Sequence, residues 1–262
     1  MIIDFHTHCF PEKIAKNTLS KLSFVSGGLI PQTDGTKDSL LYLMSNDGID
    51  KSVVLSIATN AKQQNNVNNF AVSLKSERLI PFGSIYPFSE DWESELERLK
   101  QEGIKGIKLH PDYQQFFVDD ERLFPIYKKI EKLGFILVFH SGEDFGFSPP
   151  YHATPERLRR VAAFIETPVV FAHWGSLAMG EDVLKYLCDV PCFFDTAFGY
   201  GTMPKDRALR ILEKKGVKNI LFGSDSPWNA PSWDVGMVKT MGLSAEEEAD
   251  IFYKNAEKLL GI

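Results

Sequence analysis

Residues 104–142 read IKGIKLHPDYQQFFVDDERLFPIYKKIEKLGFILVFHSG, a stretch that fixes how the remainder of the chain is to be parsed. Two short apolar runs, IKGIKL and FILVF, flank the amphipathic segment LFPIYKKIEKLG. ILVF is apolar without alternation, as a strand buried on both faces of a parallel sheet requires. The segment before it ends on Gly134, where a left-handed helix C-cap is expected. Strand, helix and strand in that order form the crossover unit of a parallel sheet. Each apolar run also ends in a histidine, His110 and His140.

The same unit repeats in both directions. IIDFHTH (2–8) precedes, after a long loop, the helical DSLLYLMSNDG; KSVVLSIAT (51–59) precedes a polar helix around 63–76; LIPFGSIYP (79–87) precedes WESELERLKQEG. Downstream, PVVFAHWG (168–175) precedes EDVLKYL, CFFDTAF (192–198) precedes PKDRALRILEKKG, and NILFGSDSPW (219–228) precedes a C-terminal helical pair. Eight strand-then-helix units in 262 residues predict one (β/α)8 TIM-barrel domain over 1–262, a fold of about 250 residues. An open doubly wound sheet is the rival, but it gives no reason for polar residues to recur at so many strand ends. No linker, low-complexity tract or internal sequence repeat interrupts the pattern.

Composition narrows the function classes. The chain is 44% hydrophobic and 24% charged, an ordinary globular balance. Its net charge of −6 disfavours a nucleic-acid partner, and no run is long enough to span a bilayer. The start has no basic n-region ahead of an apolar run. Cys9, Cys188 and Cys192 are odd in number and form no CxxC, so a reducing cytoplasm is the expected setting. No Gly-rich phosphate loop follows any strand. A small molecule is the expected partner, and a homo-oligomer is compatible with the chain.

In a barrel of this kind the chemistry sits at the C-terminal mouth of the strands. His6, His8, His110, His140 and His173 all close apolar runs, as does Asp225, while His152 lies in the loop after the fifth strand. Alternation puts His6 and His8 on one strand face, with Phe5 and Thr7 on the other. Core packing does not stop histidines of four strands at one end. A cation does, because zinc and similar ions take His nitrogens and Asp oxygens and leave a position open in catalytic sites.

With these residues in view, the chain resembles the metal-dependent amidohydrolase superfamily. D-F-H-T-H at the first strand, His at the fifth and sixth and G-S-D at the eighth carry the likeness. H-T-H-C-F-P, G-I-K-L-H-P, A-H-W-G, G-S-D-S-P-W and the closing N-A-E-K-L-L-G-I resemble its amidohydrolase-related branch, which also holds aminocarboxymuconate-semialdehyde decarboxylase-like enzymes. The resemblance implies that His6, His8, His140 and Asp225 bind one divalent ion, zinc first, with manganese, iron or cobalt as alternatives. It implies a further ligand, or a catalytic base or acid, at His173, a catalytic carboxylate at Asp225, and a supporting role for Asp4.

Lys108 and His110 share a strand face, so both can look into the mouth. For Lys108 the favoured reading is an ammonium that holds a substrate carboxylate; a salt bridge, and the carboxylated lysine that the resemblance to some superfamily members implies, are the alternatives. His110, and Glu143, His152 and Trp228 after their strand ends, are expected at the substrate, with loop surface or packing as the alternative for the last three; Cys9, directly after His8, is expected to face away. Two excursions, 9–36 and 142–153, are long enough to shape a pocket. The expected activity is metal-dependent hydrolysis of an amide, lactone or other ester by an activated water. The alternatives are non-oxidative decarboxylation of a cyclic or conjugated acid, and a catalytically silent ligand-binding barrel.

Overall fold

The computed structural model describes residues 1–262. Eight parallel strands follow in chain order: β1 (Ile3–Thr7), β2 (Lys51–Leu55), β3 (Leu79–Phe82), β4 (Gly106–Leu109), β5 (Ile136–Phe139), β6 (Val169–Phe171), β7 (Phe193–Asp195) and β8 (Ile220–Leu221). Between β1 and β2 lie α1 (Glu12–Val25) and α2 (Lys37–Asn46). The next connections carry α3 (Ala61–Ser73), α4 (Trp92–Gln101), the short α5 (Pro111–Gln114) with α6 (Phe124–Lys132), and α7 (Pro155–Phe164). The last are α8 (Gly180–Tyr186), α9 (Lys205–Lys215), α10 (Pro231–Lys239), and α11 (Ala245–Ala249) running through a π-helical turn into α12 (Asn255–Leu260). No helix is long and apolar enough to cross a membrane.

Strands pair in the order β1-β2-β3 and β4-β5-β6-β7-β8. Two seams join these sets into a closed cylinder. At one, Gly83 bridges Ile107, Gly83 N–H donates to Gly106 O at 2.9 Å and Lys108 N–H donates to Gly83 O at 2.8 Å. At the other, Thr7 bridges Ser226, Phe5 N–H donates to Phe222 O at 2.7 Å, and Asp225 N–H donates to His6 O at 2.8 Å. The expected barrel is therefore the observed one, and the open-sheet rival falls.

Strands are shorter than the apolar runs suggested because the mouth residues leave the ladder to reach their partners. The long excursion 9–36, expected as loop, instead contains α1. Ala15 and Leu19 of this helix are buried, Leu19 against Phe10 and Gly35.

Alternation in β1 also needs correction. Ile3, Asp4 and Thr7 pair with Lys51, Ser52 and Val54, so β1 carries one residue more than its partner between Asp4 and Thr7. This bulge resets the parity: Phe5 packs with Phe82, Val53 and Val138 in the smaller core cluster, yet His6 next to it also reaches the mouth. That cluster, closed below by Ala256 and Leu260 of α12, fills the barrel interior; the larger one lies between strands and helices.

Candidate active site

One cavity of about 680 Å³ opens at the strand ends. His6, His8, Lys108, His110, His140, His173 and Asp225 form its polar floor, and Trp228 joins the wall. His6 Nδ1 donates to Asp195 Oδ2 at 2.8 Å, and His8 Nδ1 donates to the Leu55 carbonyl at 2.8 Å. These partners hold both rings by Nδ1 and turn each Nε2 inward. Both Nε2 atoms face the same carboxylate oxygen, Asp225 Oδ1, at 3.3 and 3.1 Å.

Charge reinforces this arrangement. Burial, helped by nearby Lys108, pushes the His6 imidazole well below its ordinary value, so the ring is neutral. Burial works to raise the Asp225 carboxyl, but the imidazoles of His8, His6 and His173 outweigh it and hold it below the usual range. Two ring nitrogens and a carboxylate oxygen thus converge, the oxygen within 3.3 Å of each nitrogen. A divalent cation suits that convergence, and the donor set fits one: two imidazoles and a carboxylate, each imidazole oriented through its second nitrogen.

A similar pair adjoins it. His173 Nδ1 donates to Ala197 O at 3.1 Å and His140 Nε2 donates to Glu143 O at 3.1 Å. Their remaining nitrogens, His173 Nε2 and His140 Nδ1, meet at 3.1 Å. Burial, with His110 next to it, pushes His140 well below its ordinary value as well. His173 leans on His6 with ring centroids 4.9 Å apart. His140 does not fall within the tight group of His6, His8 and Asp225, however; its own close neighbours are His110 and Asp144. Its ring is stacked on His110 at 4.0 Å and anchored to Glu143, which holds it to the side.

Backbone strain concentrates here. His173, Trp174 and Asp225 have φ of 59°, 59° and 67°, a region costly for residues with a Cβ. Asp4 accepts from Ser224 Oγ at 2.6 Å, Ser224 N at 3.0 Å and His6 N at 3.1 Å, tying β1 to the Asp225 turn. Burial pushes its carboxyl up to about 7 despite these bonds. Gly223 lets the layers approach: a Cβ there would sit 3.0 Å from His6 Cβ.

Lys108 is 1% exposed, and its Nζ has no hydrogen-bond partner. Burial lowers its ammonium to about 8, against the opposing pull of Asp195 and Asp225. His110 lines the cavity with Nε2 3.3 Å from Asp144 Oδ2.

Two expectations fare differently. His152 is not on the cavity wall; its Nδ1 lies 2.9 Å from Asp112 Oδ1 and its ring packs edge-on against Phe117, so it braces the loop instead. Cys9 does line the cavity, because the chain has left β1 by that point and alternation no longer governs. Sequence reading missed Asp195, which closes β7 in CFFDTAF as Asp225 follows β8; it orients His6 and accepts from His173 N–H at 2.8 Å. It also missed Asp144, for which Glu143 was the candidate; loop geometry alone decides which of the two faces inward.

The fold has many relatives among solved structures. A TIM-barrel protein from Bordetella bronchiseptica superposes with a TM-score of 0.79 at 18% identity, over 99% of this chain and 98% of that one. A 2,6-dihydroxybenzoate decarboxylase complexed with 2,6-dihydroxybenzoate gives 0.76 at 13% identity, over 100% and 99%. A dihydroxybenzoic acid decarboxylase from Polaromonas with bound manganese and 2-nitroresorcinol gives 0.73 at 13% identity, over 99% and 96%. At these identities the likeness is one of fold. No curated protein sequence matches the chain. The model of the family described as Amidohydrolase matches residues 3–262, essentially the whole barrel with every floor residue named above, and the chain belongs to that family.

Proposed function

We propose that this chain is a metal-dependent, non-oxidative decarboxylase of a conjugated or aromatic carboxylic acid. The observation that carries this reading is Lys108, a buried ammonium without a partner on the cavity floor it shares with His6, His8 and Asp225. An unpaired buried charge is costly, and a substrate carboxylate supplies the missing partner. Two of the fold relatives are decarboxylases of hydroxylated benzoic acids, which supports the same choice over hydrolysis.

His6, His8 and Asp225 would hold one divalent ion, with His173 and His140 beside it. Bound there, the ion supplies a Lewis-acid charge for a carboxylate or neighbouring hydroxyl oxygen of the substrate. Zinc and manganese both accept such donors. Lys108 pairs with the carboxylate and sets the direction of the carbon–carbon bond to be broken. As that bond breaks, its electron pair stays on the substrate carbon and carbon dioxide leaves; a proton taken from water and relayed through His173 Nε2 then takes its place on that carbon. A small molecule is the proposed partner, in keeping with a net charge of −6.

Hydrolysis of an amide, lactone or other ester is the second reading. Asp225 favours it, since an ionised carboxylate in that position can take a proton from water and pass it to a leaving group. The deciding experiment incubates metal-loaded protein with carboxyl-13C aromatic and enoic acids, and separately with lactones and amides. Labelled carbon dioxide in the headspace supports decarboxylation. Ring-opened or cleaved product without it puts hydrolysis first, and no turnover by protein that retains no metal leaves a silent binding barrel.

A further inference from the structure

The floor of the cavity accounts for only its lower part. Above it, stripes of two helices line the same cavity. On α1 the row Ile14, Thr18, Leu22 follows the i, i+4, i+8 spacing of one helix face. On α3 the residues Gln63, Asn66, Val67 and Phe70 follow i, i+3, i+4, i+7. Val67 and Phe70 are half-buried while Gln63 and Asn66 are exposed, so the apolar part of the stripe is turned inward and the polar part forms its rim. Ile14 keeps 49% of its surface open although it sits on the cavity wall. The adjoining flank of α1 is engaged: Ala15 and Leu19 are buried, Leu19 beside Phe10 and Gly35. This stripe is therefore a wall anchored along its flank.

We infer that the substrate is an acid with an extended apolar portion, which lies in the slot between α1 and α3 while its carboxylate reaches Lys108. This inference deepens the function proposed above and rests on its carboxylate seat. A single-ring acid would occupy a small fraction of 680 Å³, a volume in the range that holds a drug-sized ligand. Ile14, Leu22, Val67 and Phe70, set among Thr18, Lys21, Gln63 and Asn66, give the wall apolar side chains above the polar floor, which suits a molecule with a charged end and an apolar portion. Ile14, Leu22, Val67 and Phe70 then set chain-length preference, and the floor sets the reaction.

The test uses saturated straight-chain carboxylates, hexanoate and dodecanoate, with zinc-loaded protein. They lack the conjugation needed for turnover, so calorimetry reads binding alone. Full burial of each added methylene tightens binding about fourfold, and a half-open slot secures roughly half of that free energy, so dodecanoate should bind about 60-fold tighter than hexanoate. Ile14→Asp, at a half-exposed position that does not threaten folding, and Val67→Asp should each cut that ratio to below about tenfold. A wild-type ratio near unity, or an unchanged ratio in both variants, overturns the inference. Lys108→Met separates the two readings. Equal weakening of both acids with the ratio preserved supports both, whereas unchanged affinities with the ratio preserved remove the carboxylate seat and leave the slot standing.

Discussion

Lys108 illustrates how a single residue can be decided by what it lacks. Its aliphatic stem is buried in the barrel and its Nζ finds no acceptor, so burial brings its ammonium down to about 8. Below that pH the group is charged and can hold a carboxylate; as pH rises through about 8 the proton leaves and the attraction goes with it. The KM for an acid substrate should therefore climb between pH 7 and 9 by about tenfold, the scale of one charged hydrogen bond. Lys108→Met should start at the high KM and show no such rise; a parallel profile in both proteins would end this role. At His6 and Asp225 the issue is the convergence of ligand atoms. His6→Ala or Asp225→Asn removes one of the three ligand groups around the candidate ion. Each should abolish metal retention and turnover with circular dichroism unchanged, and wild-type rates in either would remove the proposed chemistry.

At the level of elements, the barrel is held by pairing that is thinnest at two seams. Between β3 and β4 a would-be Cβ on Gly106 meets the Phe82 ring at 2.1 Å, and that ring is fully buried. The inward face of β4 is thus layered: a glycine below, giving way to a phenyl ring, and Lys108 above it in the mouth. Gly106→Ala should cost about 2 kcal/mol from overpacking, lowering Tm by about 5 °C in thermal unfolding. Adding Phe82→Leu should return part of that loss, and additive losses in the double variant would contradict the packing explanation. The bulge in β1 is the other element-scale device. By adding one residue it lets Phe5 belong to the interior while His6 still reaches the mouth, which strict alternation forbids. In α1, apolar residues at 14, 15, 19 and 22 already had helical spacing, so the information was present locally and was obscured by the polar residues between them.

For the whole molecule, the candidate site joins both sheet ends. β1, β5, β6 and β8 or the turns after them supply His6, His8, His140, His173 and Asp225, and β7 supplies the orienting Asp195. An ion bound to the folded state alone stabilises every strand it connects. At about 100 times its dissociation constant, zinc or manganese should add about 2.7 kcal/mol, or about 5–10 °C in Tm. A chelator should reverse the shift, and His6→Ala should not show it; equal Tm with metal and chelator in the wild type would refute a bound ion.

The order of strands and helices, and the clustering of histidines at strand ends, were legible in the chain because each depends on local periodicity and on where an apolar run stops. DFHTH, VFH, AHW and GSD named the floor residues for the same reason. Only the tertiary structure decided that His140 stands beside the tight group, that His152 turns to Asp112, that Asp144 faces inward in place of Glu143, and that α1 and α3 line the same cavity. Those outcomes depend on ring rotation, loop path and the spacing between helices. They are set by contacts between residues far apart in the chain, which no local pattern encodes.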